Sequence, residues 1–199
     1  MIGIVGHTSR HQQVLNLAGT IGAEHVSIDD GTLGCNRNHL KVWTHLAEHS
    51  TSEWATVLED DAIPCDNFRD QLDQALAVAP TPIVSLYLGR QRPYGYQDRI
   101  AAAINTDACW LLAPRLLHAV AVAIRTNLLA DMLTTLPTNI PIDRAISAWA
   151  PHTVAYTNPS LVDHRDGTPV AHPTGTRQPG RIAWRTGTRT AWTADARHL

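Results

Sequence analysis

The chain has 199 residues, 44% of them hydrophobic and 17% charged, with 16 basic against 18 acidic residues and a formal net charge of −2. That length suits one folded domain with a sizeable core, and the composition excludes general disorder and a surface built throughout for polyanions. Cys35, Cys65 and Cys109 lack zinc-ligand spacing and read as reduced thiols; with no basic-then-apolar leader and no apolar run of roughly 18 residues, a cytoplasmic protein with no membrane span is expected.

Residues 2–6 (Ile-Gly-Ile-Val-Gly) form a buried first strand, followed by the polar loop His7-Thr8-Ser9-Arg10. A helix is predicted from about Arg10 to Ala18, ending at Gly19, then a second strand over residues 25–29 that turns at Asp30-Gly31. Residues 36–49 have Leu40, Trp43, Leu46 and Ala47 on one helical face. A third strand starts at Trp54 and stops at Glu59-Asp60-Asp61. Beyond it come a helix near residues 67–78, stopped by Pro80 and Pro82, and an apolar strand over residues 83–88. After an Arg/Tyr/Gly loop (residues 89–96), residues 108–112 read as a strand, and Pro114 is expected to start a long helix reaching about Leu129. Residues 142–149 form a short helix with Pro141 in its first turn, and residues 153–156 a last strand. This alternation indicates an α/β sandwich with a mostly parallel sheet.

The three consecutive carboxylates carry the most chemistry. Crowded at a strand end they repel one another, and hard oxygen ligands select Mg²⁺ or Mn²⁺, ions that commonly hold phosphates. The expectation is a metal-diphosphate site outside the carboxyl end of the sheet, against the alternative of a solvated acidic turn. The dinucleotide fingerprint, the phosphate-binding P-loop and the nucleophile elbow do not occur. His45-Leu46-Ala47-Glu48-His49 matches an inverted zinc-protease pattern, but its phase puts it beside Lys41, away from the apolar stripe, as a solvated helix face.

Four segments, the acid cluster among them, lie in an order that resembles the family 25 glycosyltransferases, the lipooligosaccharide and collagen sugar transferases of GT-A type. They are Gly34-Cys35-Asn36-Arg37-Asn38-His39-Leu40-Lys41-Val42-Trp43, Val57-Leu58-Glu59-Asp60-Asp61-Ala62, Pro141-Ile142-Asp143, and Asn158-Pro159-Ser160-Leu161-Val162-Asp163-His164. Asn38 stands where the family usually has Ser, the N-terminal signature is reduced to Thr8-Ser9-Arg10, and the chain is short for the family.

The resemblance implies a GT-A-like three-layer α/β/α sandwich, with residues 1–166 as the nucleotide-sugar-binding catalytic domain and residues 167–199 as an irregular tail of the same domain. It implies a metal-dependent glycosyltransferase, inverting, that moves a sugar from a nucleotide-sugar donor, expected to be a UDP-sugar, to a hydroxyl acceptor on a glycan or glycoconjugate. By analogy with DxD-like motifs, Asp61 is the metal ligand for Mn²⁺ or Mg²⁺, with His164 as a second ligand from far along the chain. Glu59 and Asp60 would hold the ribose or donor sugar, and Thr8, Arg10 and His39 would contact the donor. Asp143 would act as the base that deprotonates the acceptor, with Asp163 as its substitute. Each has a plainer alternative: Asp143 as a helix first-turn acid, Arg10 as a helix start, His39 as a satisfied buried histidine and His164 as a loop histidine.

Arg90, Arg92, Tyr94 and Tyr96 form a loop suited to stacking on a sugar, or one that is simply solvated. In the tail Arg177, Arg181, Arg185 and Arg189 recur every fourth residue beside Trp184 and Trp192. They suit a nucleic-acid backbone, a lid over a diphosphate, or packing onto the core. The first option makes a hydroxylated base in DNA an alternative acceptor. A metal-dependent phosphoesterase and a catalytically dead binding module are the other readings of the acid cluster.

Overall fold

The computed structural model describes residues 1–149, 153–168, 170 and 180–199. Its elements in chain order are β1 (Ile2–His7), α1 (His11–Ile21), β2 (His25–Asp29), α2 (Cys35–His49), β3 (Trp54–Glu59), β4 (Ala62–Pro64), α3 (Phe68–Ala77) and β5 (Ile83–Ser85). These are followed by α4 (Gln97–Ala103), β6 (Trp110–Ala113), β7 (Ala121–Arg125), α5 (Leu129–Thr135), α6 (Ile142–Trp149), β8 (Val154–Thr157), β9 (Val162–His164) and β10 (Ala196–His198).

Eight strands form one sheet in the order β10-β6-β8-β5-β7-β3-β1-β2, and β4 pairs with β9 as a small antiparallel ribbon. Four ladders of the main sheet are parallel: β1–β2, β1–β3, β5–β8 and β10–β6. Three are antiparallel, two of them made by β7. Alternate side chains of β1 and β3 feed opposite faces, as the period of two requires. Val5 and Val57 join Trp43, Leu46, Ile100, Met132 and Ile146 on one face, while Ile2, Ile4 and Leu58 join Val14, Leu17, Phe68 and Leu72 on the other. Helices α2, α4, α5 and α6 thus cover one face and α1 and α3 the other, which makes the three layers that the sequence implies.

Two glycines let the helices approach β1 closely. A Cβ at Gly3 would lie 2.5 Å from Val42 Cγ1 of α2, and one at Gly6 2.5 Å from Val14 Cγ2 of α1. Central strand and flanking helices are therefore in near-backbone contact on both faces. In register, His7 lies opposite Asp29 and Val5 opposite Glu59, so β1, β2 and β3 end along one edge of the sheet.

Several boundaries differ from expectation. Helix α1 runs through Gly19 and ends at Gly22, whose φ of 60° provides the left-handed turn. The long helix expected from Pro114 is absent: the chain there gives way to β7, a central strand buried from Ala121 to Ile124. An apolar run buried on both faces has no amphipathic period, so its alanines were compatible with either state. The strand expected over residues 83–88 is a ladder only over Ile83–Ser85, although Leu86 N still donates to Ala121 O at 2.9 Å.

The tail packs onto the core. β10 adds to the sheet edge beside β6, and Trp192, buried against Trp110 at 5.6 Å between ring centroids, donates from Nε1 to Gln71 Oε1 at 3.1 Å. Arg189 donates to the carbonyls of Asn158 (2.7 Å) and Asp107 (2.6 Å), and Trp184 Nε1 donates to Gln97 Oε1. Arg189, Trp184 and Trp192 are thus spent on intramolecular contacts rather than presented as a nucleic-acid surface; Arg177 lies outside the described residues. No helix among the described residues is long and apolar enough to cross a membrane.

Candidate active site

The strand ends open into a cleft of about 1180 Å³. It is lined by the loop after β1, the start of α2, the floor acids Glu59, Asp60 and Asp61, and Tyr87, His118, Asp143 and His164. Arg37, Arg90, Arg92, Arg144 and Arg181 line its rim, so acids at the floor face cations around the mouth.

The acid cluster is not left to repel itself. Arg10 Nη1 donates to Asp60 Oδ1 at 2.6 Å and to Asp61 Oδ2 at 2.7 Å, and the backbone N–H of His7 donates to Asp60 Oδ2. Burial raises the Asp60 carboxyl above the ordinary range against the pull of Arg10. Asp61 is also desolvated, but His164 and Arg10 overcome this and hold it below the usual value. His164 Nε2 lies 3.3 Å from Asp61 Oδ2, brought there by the β4–β9 ribbon, in which Ala62 pairs with His164. Asp61 Oδ1 and His164 Nδ1 are both buried and make no hydrogen bond. A carboxylate and an imidazole at that separation, each with an unused buried atom, fit as two neighbouring ligands of a divalent cation. Nitrogen in the set favours Mn²⁺ over Mg²⁺.

Glu59 lines the cleft and His39 lies behind it. The imidazole is 1% exposed, and its Nε2 stands 3.0 Å from Glu59 Oε1. Burial alone would lower this histidine, but the Cys35 thiol and the Glu59 carboxylate beside it lift it to about 9, so it is an imidazolium at neutral pH. Expected as a donor contact, His39 is buried beside Glu59 and is not among the residues that line the cleft.

Asp143 lines the cleft at the first turn of α6. Burial, with the Glu59 charge adding to it, raises its carboxyl above the ordinary range, against a hydrogen bond from Arg144 N–H. Its position is set by Asn36, whose Nδ2 donates to Ile140 O and whose Oδ1 accepts from Ile142 N–H, so the start of α2 holds the start of α6. Asn38, at the family's Ser position, accepts from Ser27 Oγ and donates to Gly6 O and Ser27 O. It knits three elements together.

Two expected site residues stand apart. Thr8 is exposed in a short 3-10 turn and does not line the cleft. Asp163 also lies outside the lining: its Oδ1 accepts from the His164 and Ala183 backbone N–H groups, which fastens the tail. Neighbours in a strand point to opposite faces, so His164 and Asp163 cannot both enter one site. Tyr96 is core, whereas Arg90, Arg92 and the exposed Tyr94 do line the cleft. Residues the sequence did not single out are His7, Asn36, Tyr87 and His118. His118 is held down at about 4, and hence neutral, chiefly by burial, and its Nε2 is 3.0 Å from Arg92 O. Tyr87 is desolvated and raised. His45 stacks with both His25 and His49 on the outside of α2, away from the cleft.

Residues 10–106, somewhat under half of the chain, match the model of Glycosyltransferase family 25 (LPS biosynthesis protein). That span contains the Gly34–Trp43 and Glu59–Asp61 segments; those at Pro141 and Asn158 lie beyond it. No curated protein sequence matches the chain. Among solved structures it is similar to a mannosyltransferase from Pyrobaculum calidifontis in complex with GDP-Man and Mn2+, at 17% identity and a TM-score of 0.44, over 79% of this chain and 56% of that one. It is also similar to an inositol-1-phosphate CTP transferase from T. maritima, at 9% identity and a TM-score of 0.39, over 77% of this chain and 64% of that one. The chain therefore spans less than two thirds of either structure's length.

Proposed function

We propose that the chain, whose residues 10–106 match the family 25 glycosyltransferase model, transfers a sugar from a nucleotide-sugar donor to a hydroxyl acceptor with inversion, assisted by Mn²⁺. The observation that carries this reading is the meeting, in one cleft, of the Asp61–His164 pair, the Glu59 carboxylate and the desolvated Asp143.

Asp61 and His164 would hold the cation, which when bound neutralises charge on a departing nucleoside diphosphate as a Lewis acid. Arg10 keeps Asp60 and Asp61 ionised and in place. The rim arginines Arg90, Arg92 and Arg181 suit diphosphate oxygens. Glu59, backed by His39, accepts hydrogen bonds from donor hydroxyls. Asp143, raised above the ordinary carboxyl range, takes the acceptor hydroxyl proton as the bond to the sugar forms. A UDP-sugar is the first donor to test, and a glycan or glycoconjugate the acceptor class.

The test is a thermal-shift screen of nucleotide sugars with and without Mn²⁺, followed by product analysis with the best donor. A ligand that binds only the folded state raises its stability by mass action. Donors that shift melting only with Mn²⁺, then yield nucleoside diphosphate and a glycosylated acceptor, support the reading. Inorganic phosphate release with no sugar transfer would replace it with the phosphoesterase.

A further inference from the structure

A second cluster of ligating groups stands in the same cleft, apart from the Asp61–His164 pair. Cys35 and His39 are four residues apart on α2, which puts both on one helical face, and the end of β3 brings Glu59 against them. One ligand atom from each, the Cys35 thiol sulfur, a His39 ring nitrogen and a Glu59 carboxylate oxygen, lie within 4.8 Å of one another. Among the described residues this is the one group of three such side chains so close together. Cys35 is exposed and Glu59 partly so, and both line the cleft, so an ion can arrive from solvent. His39 is the independent sign of a ligand: it is 1% exposed, and its Nδ1 is buried with no hydrogen-bond partner of ordinary geometry.

We propose that Cys35, His39 and Glu59 form a zinc-binding site on the cleft wall, distinct in place and chemistry from the Asp61–His164 pair. A thiolate and an imidazole are soft and borderline ligands that select Zn²⁺ over Mg²⁺ or Mn²⁺. Tetrahedral zinc, with bonds of roughly 2.0–2.3 Å, needs ligand atoms about 3.3–3.8 Å apart. Closing from within 4.8 Å is a matter of rotating the exposed Cys35 and the partly exposed Glu59 about a fixed imidazole. Three protein ligands leave a fourth position facing the cleft. An ion there takes Glu59 out of its hydrogen bond with His39 and sits on the side of the cleft that Asp143 shares.

Cobalt(II), which replaces zinc with the same geometry and shows a sulfur-to-metal charge-transfer band in the near ultraviolet, is the direct probe. The full chain is titrated with cobalt in mildly alkaline buffer, since thiol and imidazole must lose their protons to bind. The wild type is expected to give the band at a single equivalent, and added Zn²⁺ to abolish it. Cys35→Ser is expected to remove the band and to weaken zinc, in competition with a chromophoric chelator, by more than the roughly 10–100-fold that loss of an outer-shell partner costs. Cys65→Ser and Asp61→Asn are expected to keep both. Absence of the band in the wild type, its persistence in Cys35→Ser, or its loss in Asp61→Asn would overturn the proposal. Cys35 is exposed, so Cys35→Ser leaves the fold intact, which its unchanged melting temperature without metal verifies.

Discussion

Arg10 Nη1 donates to Asp61 Oδ2, the same oxygen that faces His164 Nε2 at 3.3 Å. One carboxylate thus stands between a fixed cation and the imidazole, and Arg10 supplies the positive charge that the acid cluster needs to stay ionised. Arg10→Gln is expected to destabilise the metal-free protein by about 3–5 kcal/mol, the cost of leaving buried charges uncompensated. Mn²⁺ is expected to restore much of this loss, so its stabilising effect should be larger in the variant than in the wild type. Thermal denaturation of both proteins across a Mn²⁺ titration measures the difference, and an equal Mn²⁺ effect in the two would count against Asp61 as a ligand.

Asp143 supports a second expectation. In its proposed role as acceptor base it would contribute roughly 10²–10⁴-fold, so Asp143→Asn should lower kcat by that factor while donor-dependent thermal shifts persist. Burial raises its folded-state carboxyl, so activity in the wild type should fall on acidification at a pH above the ordinary Asp value of 3.8. Glu59→Gln removes the neighbouring charge that adds to the raise and should move that limb to lower pH. A pH–rate profile on saturating donor decides it.

Much of this framework is legible in the chain because its signals are local. The runs Ile2–His7, His25–Asp29 and Trp54–Glu59, and the stripe of Leu40, Trp43 and Leu46, carry their periods within single elements. The Glu59-Asp60-Asp61 turn announces itself by charge, and His164 by its place in a family-like segment. What was not legible depends on partners far away in sequence. Arg10 meets an acid 50 residues on, and the Asn36 anchor of α6 crosses 104 residues. β7 is buried on both faces and so loses the alternation that marks a strand, and β10 is defined by the edge it joins rather than by its own three residues.

His39 and Glu59 set a third test, of stability against pH. The folded-state value of His39, about 9, lies above the ordinary 6.5, so its contribution is fully present below pH 6.5 and is lost as the pH rises through about 9. Glu59→Gln weakens the charged hydrogen bond and should cost about 1.5–3 kcal/mol at neutral pH, with the two proteins converging above pH 9. Urea denaturation at a series of pH values measures this. A constant difference between the proteins over that range would show that the pair is not ionised as described.

The tail sets the last. Trp192 is 7% exposed, stacks obliquely on Trp110, and holds Gln71, whose Oε1 also accepts from Arg189 N–H while its Nε2 donates to Arg189 O. Removing that ring empties a large volume between α3 and β6 and breaks a buried hydrogen bond, so Trp192→Ala should cost about 3–5 kcal/mol. Because the same residues close the sheet edge at β10, unfolding should remain a single transition at a lower temperature. If the tail were an independent nucleic-acid-binding appendage, Trp192→Ala would leave the melting temperature unchanged and would weaken retention on DNA at low salt. Calorimetry and salt-dependent DNA retention on the same variant separate the two, and the packing described here predicts the large thermal effect with no DNA retention in either protein.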